Sequence, residues 1–237
     1  MTTQDDVWLV IPVYNEGSVI TRVVGQALAV FPNIVCVDDG SRDDTAAQIG
    51  QTGAHLVRHP VNLGQGAAIQ TGVEYARAQP GATYFVTFDA DGQHRTEDAA
   101  RMVARLRAAD RGEGEPVDLV LGSRFLAEEA RKGVPVVKRV LLRVVAAISP
   151  EGRRLKLTDA HNGLRAFNRV VAERLDILQN GMGHASEFVK LALHHHWRVV
   201  EEPVVILYTD YSKAKGQSLL NGVNILVDNA LRPARGR

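Results

Sequence analysis

The chain has 237 residues, enough to bury a core of its own, and its 28 Lys and Arg nearly balance 27 Asp and Glu. That balance excludes a general polyanion binder. An aromatic content of 5% also excludes the stacking platforms of single-strand nucleic-acid proteins, so no nucleic-acid partner is expected. A single cysteine, Cys36, rules out a disulfide framework within the chain and fits a reducing compartment.

In chain order, residues 1–6 are polar and acidic and lack the basic start of a secretory signal. Residues 7–12 form an unbroken apolar run closed by a turn, the pattern of a strand buried on both faces. Ser18 is placed to cap a helix reaching about Phe31. Residues 34–37 read as a second strand, 45–51 as a short helix and 55–58 as a third strand. A helix over 64–78, a strand over 84–88, a helix over 96–107 and a strand over 119–121 follow. This alternation predicts an α/β fold, a mostly parallel, doubly wound sheet with helices on both faces.

Residues 111–116 read as an exposed loop and not as a domain boundary. Over 136–148, apolar residues (Val137, Val140, Leu141, Val144, Val145, Ile148) share one helical face, and Lys138, Arg139 and Arg143 gather opposite. These charges exclude a membrane span, which needs about 20 apolar residues in a row. A basic amphipathic helix suits a membrane interface; a packed helix with a solvated basic edge is the other reading. Beyond Pro150 the pattern gives a strand-like stretch at 160–168, a helix after His184, a strand at 199–207 and an amphipathic helix from Ser218. No internal repeat interrupts the chain, and residues 1–237 are read as one domain, soluble or peripheral to a membrane.

Parallel sheets of this kind bind ligands at the carboxyl ends of their strands, and five successive strand ends here carry polar residues. They are Tyr14-Asn15-Glu16, Asp38-Asp39, Asn62, Asp89-Ala90-Asp91 and Ser123-Arg124. Two carboxylates at alternate positions, Asp89 and Asp91, can share a hard divalent cation with phosphate oxygens. Asp38 and Asp39 suit a ribose or base, although Asp-Gly-Ser is also turn chemistry, and both roles can hold together. Asn62-Leu63-Gly64-Gln65-Gly66 opens a helix whose amino terminus favours an anion and whose glycines allow close backbone approach. His194-His195-His196 is not read as a metal site, because consecutive helical residues point in different directions.

Five motifs in register resemble family 2 glycosyltransferases of the GT-A fold. They are Ile11-Pro12-Val13-Tyr14-Asn15-Glu16, Val37-Asp38-Asp39-Gly40-Ser41, the Asn62–Gly66 element, Phe88-Asp89-Ala90-Asp91-Gly92-Gln93-His94 and Gly122-Ser123-Arg124. Asp159-Ala160-His161-Asn162-Gly163-Leu164-Arg165-Ala166-Phe167 is similar to an element of dolichol-phosphate mannose synthases and their bacterial polyprenyl-phosphate relatives, with Asn162 where Ser is usual. The resemblance implies a nucleotide-sugar-binding half, 1–124, and an acceptor-binding half, 125–237. In the first, a GDP- or UDP-sugar would meet Pro12, Tyr14, Asn15, Glu16, Asp38, Asp39, Asn62, Gly66, Asp89, Ala90 and Asp91. It implies Mg²⁺ or Mn²⁺ at Asp89, Asp91 and Gln93, Arg165 on the diphosphate, and Lys215 in a basic loop over the donor. Arg124, Lys138 and Arg139 would hold a polyprenyl phosphate acceptor, and Glu187 falls where many such enzymes carry the carboxylate that deprotonates a hydroxyl acceptor; an ionised phosphate needs no such base, and Glu187 would then only position residues. Asp91, Arg124, Arg165 and Glu187 are thus the expected catalytic residues.

Transfer to a polyprenyl phosphate with inversion at the anomeric carbon is the leading expectation, at the cytoplasmic face of a membrane. The alternative is a carbohydrate hydroxyl acceptor, for which Glu187 would serve as general base. A sugar-phosphate nucleotidyltransferase is less expected, since no Gly-rich, basic loop follows the first strand. A non-catalytic module fits poorly with intact Asp89 and Asp91. The chain ends at Arg237 without a spanning segment, so either a separate small membrane protein supplies the anchor or the acceptor is not a lipid.

Overall fold

A computed structural model describes residues 4–126, 154–181 and 183–207. One seven-stranded sheet organises them, with strands β1 (Val7–Val13), β2 (Asn33–Asp38), β3 (His55–Arg58), β4 (Tyr84–Thr87), β5 (Leu119–Ser123), β6 (Arg165–Asn168) and β7 (Val199–Pro203). The helices are α1 (Ile20–Leu28), α2 (Thr45–Gly50), α3 (Gln65–Arg77), α4 (Thr96–Asp110), α5 (Arg169–Arg174) and α6 (His184–His194). The strand order is β3-β2-β1-β4-β6-β5-β7. Neighbours pair in parallel except β6, which runs antiparallel to both β4 and β5.

The inner strands bury both faces, so a period of two sorts each into two cores, while the edge strands β3 and β7 stay partly exposed. On one face Leu9, Ile11, Ile34, Cys36, Val86, Val120 and Ala166 pack under Val23 and Ala27 of α1 and Met102 and Leu106 of α4. On the other, Trp8, Val10, Val35, Val37, Phe85, Leu121 and Phe167 meet Ile69 and Val73 of α3, Val171 of α5 and Phe188 of α6. Phe85 and Phe167 stack at 5.8 Å across the β4–β6 seam, with Phe188 5.9 Å from Phe167. Each fully buried aromatic of this kind is worth about 3–5 kcal/mol against truncation.

The sheet is mostly parallel as expected, with β6 antiparallel. Details differ. The strand-like stretch at 160–168 forms a ladder only from Arg165, because Asn162 and Gly163 turn the chain into the site first. Ser18 does not cap α1; the cap position is Val19, and the Glu16 carbonyl accepts from the N–H groups of Val19 and Ile20. The short helix α5 was not expected, and Asn168 caps it by accepting from Val171 N. The amphipathic stretch expected at 136–148, with Lys138 and Arg139, lies outside the described residues, as do Lys215 and the helix expected from Ser218.

Candidate active site

The parallel strands β1 to β5 end on one edge of the sheet, and β6 begins there, so its first residue, Arg165, pairs with Thr87 of β4 and Leu121 of β5. Asp89 and Asp91 follow β4 immediately. Gln65 Nε2 donates to Asp89 Oδ1 at 3.1 Å, and His94 Nε2 lies 2.8 Å from Asp89 Oδ2. Gly163 packs so closely that a Cβ there would stand 2.2 Å from Asp89 Oδ2. The Thr87 hydroxyl holds that turn by donating to the Gly163 carbonyl at 2.7 Å.

The two carboxyls are driven apart. Burial raises the Asp89 carboxyl, but the His94 hydrogen bond and the charges of His94 and Arg165 outweigh it, and the group sits below the usual carboxylate range. Asp91 is pushed up to about 6, first by burial and then by the charge of Asp89. Its Oδ1 accepts from Gln93 N at 3.0 Å, so the main chain of Gln93 shapes the turn. Among the described residues no group of three or more His, Cys, Asp or Glu converges on a metal position. Two mutually repelling carboxylates at a strand end still suit Mg²⁺ or Mn²⁺, ions often held by one or two protein carboxylates with phosphate oxygens and water completing the shell. The residues present fit such a cation.

Arg165 faces Asp89 from the buried side, with Asp159 the other carboxylate acting on it. It is 1% exposed, and neither Nη1 nor Nη2 has a hydrogen-bond partner. Its guanidinium lies 4.8 Å over the Phe188 ring, and burial lowers its pKa to about 10, so it stays charged. A buried cation with two unmet donors is costly unless an anion arrives. Around it, Asn162 also buries an unpartnered Nδ2. His184 is pulled down to about 4 by burial and by the Arg165 charge, and burial lowers His161 as well.

Along the edge, β1, β2 and β3 end around a cleft of about 540 Å³ lined by Tyr14, Ser41, Arg42, Arg58, His59 and Asn62, among others. Asp38 and Asp39 build this cleft from behind. Asp38 Oδ1 accepts from Ser41 N, and its Oδ2 pairs with Arg58 Nε at 2.9 Å. Asp39 accepts from Leu63 N and Gly64 N, and lies 2.7 Å from His59 Nδ1. Both carboxylates are buried and serve the turns that carry the exposed residues. Asn15, at φ 53°, accepts from Arg42 N through Oδ1 and donates its own N–H to Ser41 Oγ. Glu16 is buried, with its N–H on Thr45 Oγ1; Pro12 and Ala90 are buried too.

The Asn62–Gly66 glycines make a close approach, but to protein. A Cβ on Gly64 would meet the Asn180 carbonyl at 2.2 Å, and one on Gly66 the Gln179 carbonyl at 2.1 Å. Arg124, after β5, forms a two-pronged pair with Asp159, Nε to Oδ2 at 2.6 Å and Nη2 to Oδ1 at 2.7 Å. Glu187 does not present an open carboxylate: Oε1 accepts from Leu178 N at 3.1 Å and Oε2 from Gln179 N at 2.8 Å. The partners that the sequence reading did not single out, Gln65, His94, Arg42, Arg58 and Asp159, all stand inside or beside the motifs it named. Cys36 is buried, its thiol pushed up to about 12, which makes it inert.

The family model for glycosyl transferase family 2 matches residues 8–176. An uncharacterised protein of Methanocaldococcus jannaschii is 32% identical over 94% of this chain and 90% of its own. The UDP-N-acetylglucosamine–dolichyl-phosphate N-acetylglucosaminyltransferase of Methanococcus voltae is 30% identical over 92% of each chain. The polyprenol monophosphomannose synthase of Mycolicibacterium smegmatis is 28% identical over 92% of this chain and 82% of its own. Among solved structures, glucosyl-3-phosphoglycerate synthase of Mycobacterium tuberculosis matches with a TM-score of 0.67 at 19% identity, covering 98% of this chain and 82% of that one. At that identity the likeness is one of fold, the GT-A fold.

Proposed function

The chain belongs to glycosyl transferase family 2, and from that membership we propose that it moves a sugar from a nucleoside diphosphate sugar to a polyprenyl phosphate, with inversion and with a divalent cation. The observation that carries the reading is the meeting at one sheet edge of Asp89, with Asp91 beside it, and Arg165, a buried cation whose two Nη atoms have no hydrogen-bond partner. That is an arrangement for a diphosphate that leaves. The dolichyl-phosphate and polyprenol names of two relatives support the acceptor.

Asp91 and Asp89 would hold Mg²⁺ or Mn²⁺, which when bound offsets negative charge developing on the departing nucleoside diphosphate. Arg165 donates to the diphosphate from the buried side, in a site where a preset charge is worth more than in water. Tyr14, Arg42, Arg58 and Asn62 line the cleft that takes the nucleoside, and Lys215, outside the described residues, is assigned to the donor. Arg124, oriented by Asp159, meets the acceptor phosphate together with Lys138 and Arg139. A phosphate monoester is ionised near neutral pH and attacks without a general base, which accords with a Glu187 whose oxygens hold main-chain N–H groups. The enzyme works peripherally at the cytoplasmic face of the membrane, where a separate small membrane protein can serve as anchor. No helix among the described residues is long and apolar enough to span it.

A screen of GDP- and UDP-sugars with Mn²⁺, followed by nucleoside diphosphate release, tests this. Release stimulated by polyprenyl phosphate and abolished by excess EDTA is expected. Undiminished release in EDTA would sink the metal reading, and no stimulation by the lipid phosphate would sink the acceptor.

A further inference from the structure

A continuous chain of contacts runs from Glu187 to Asp89. Glu187, in the first turn of α6, gathers the N–H groups of Leu178 and Gln179 and so fixes the loop before that helix. That loop touches the start of α3: the Asn180 carbonyl accepts from Gly66 N at 2.8 Å, and the Gln179 and Asn180 carbonyls fill the space where side chains on Gly66 and Gly64 would stand. Between those two glycines sits Gln65, whose Nε2 donates to Asp89 Oδ1. The same turn is held from the opposite side by Asp39, which accepts from Leu63 N and Gly64 N. Gln65 therefore has its backbone clamped on both sides, and its amide reaches the carboxylate at the metal position.

We propose that Glu187 is a positioning residue which, through the 178–180 loop and Gln65, sets the orientation of Asp89 for the cation and the donor diphosphate. This rests on the donor reading above but leaves the acceptor open. Two features give it force. Both carboxylate oxygens of Glu187 are engaged by main-chain N–H groups, the pattern of a clamp and not of a base awaiting a proton. The loop and the α3 turn lie against each other with no room for a side chain between them, and the Gly66 N–H bond to the Asn180 carbonyl ties the two. Gln65, placed between the clamps, converts that position into a hydrogen bond on one specified oxygen of Asp89, which leaves the other to His94.

The test uses the whole chain with Mn²⁺ and UDP, and in parallel Mn²⁺ and GDP, titrated by calorimetry, alongside sugar-transfer kinetics. Glu187→Gln replaces one of the two accepting oxygens by a donor that cannot take a main-chain N–H. Gln65→Ala removes the link to Asp89, and Gly66→Ala forces the same junction from the α3 side. Each single variant is expected to weaken nucleotide binding in Mn²⁺ by about 5–10-fold, to raise the donor KM correspondingly, and to lower kcat by less than about 10-fold. Glu187→Gln combined with Gln65→Ala is expected to be no worse than the weaker-binding single variant, because coupled residues lose their effect once. Glu187→Asp, which keeps two accepting oxygens, is expected to recover part of the affinity, and the acid limb of the pH–rate profile keeps its position in all variants.

Wild-type nucleotide affinity in Glu187→Gln with transfer down by about 10²-fold or more and a lost acid limb would make Glu187 a base and overturn the inference. Additive losses in the double variant would overturn it too, by showing that Glu187 and Gln65 act separately. Should Glu187→Gln fail to fold, Gly66→Ala and Gln65→Ala carry the same comparison, and independent losses there count against the relay. A wild-type protein that binds neither nucleotide would instead remove the donor reading itself.

Discussion

At the residue scale the site works by forcing unlike states on like groups. Asp89 is held ionised by His94 and Arg165 against its burial, while Asp91, beside it, is pushed up to about 6. A carboxyl whose pKa is raised by folding favours the native state most when protonated, so Asp91 contributes more stability as the pH falls below about 6 and costs stability when ionised at neutral pH. Replacing it by Asn removes the repulsion with Asp89 and the cation's ligand together. Asp91→Asn is expected to abolish Mn²⁺-dependent nucleotide binding while the melting temperature at pH 7 holds or rises by a few degrees. A variant with clearly lower melting temperature would mean that Asp91 serves the fold and not a ligand. Arg165 shows the same logic from the cationic side. A buried guanidinium with two unmet nitrogens is a standing cost that an incoming anion offsets.

At the scale of elements, the edge strand β7 supports the proposed acceptor side. Glu201 on β7 accepts from Thr158 N and Asp159 N, and so holds the turn from which Asp159 grips Arg124 at the end of β5. Asp159 is buried and Arg124 nearly so. Removing Asp159 breaks a two-pronged, charge-assisted bond, so Asp159→Ala is expected to cost about 2 kcal/mol in urea unfolding and to weaken polyprenyl phosphate use more than nucleotide binding. An unchanged unfolding midpoint would show that Arg124 finds another anchor. Buried hydrophobic runs made β1, β2, β4 and β5 legible in the sequence, since strands covered on both faces leave little alternative. The direction of β6 was not legible: Arg165-Ala166-Phe167-Asn168 has the same apolar pattern whichever way it pairs. The motif positions reached the right sheet edge, but their internal partners did not show. Spacing cannot tell a glycine that admits a phosphate from Gly66, which admits the Gln179 carbonyl, or a waiting base from Glu187, which holds Leu178 and Gln179.

At the scale of the whole molecule, three layers converge on one wet edge, and the groups buried there link folding to pH. His184 takes a proton near 6.5 when unfolded but only near 4 in the fold, because burial and then the Arg165 charge oppose it. Between those values the unfolded chain binds more protons at this site, so the His184 contribution is full above pH 6.5 and declines as the pH falls toward 4, opposite in sign to the Asp91 contribution below pH 6. The loss is on the order of 3 kcal/mol. His184→Asn, whose amide can still donate to the Gly181 carbonyl, is expected to flatten that decline in denaturant midpoints measured across this window. A slope identical to wild type would assign the dependence elsewhere. The claim on which the rest depends is that this edge passes a sugar to a phosphate carried on a prenyl chain. The direct measurement is mass spectrometry of the lipid extract after the protein is incubated with Mn²⁺, a GDP- and UDP-sugar panel and undecaprenyl phosphate in detergent, beside matched reactions offering only carbohydrate acceptors. The account predicts a prenyl phosphate carrying one sugar, formed by wild type, absent with EDTA and absent from Asp91→Asn. A sugar product built only on a carbohydrate hydroxyl, with the lipid phosphate untouched, would contradict it.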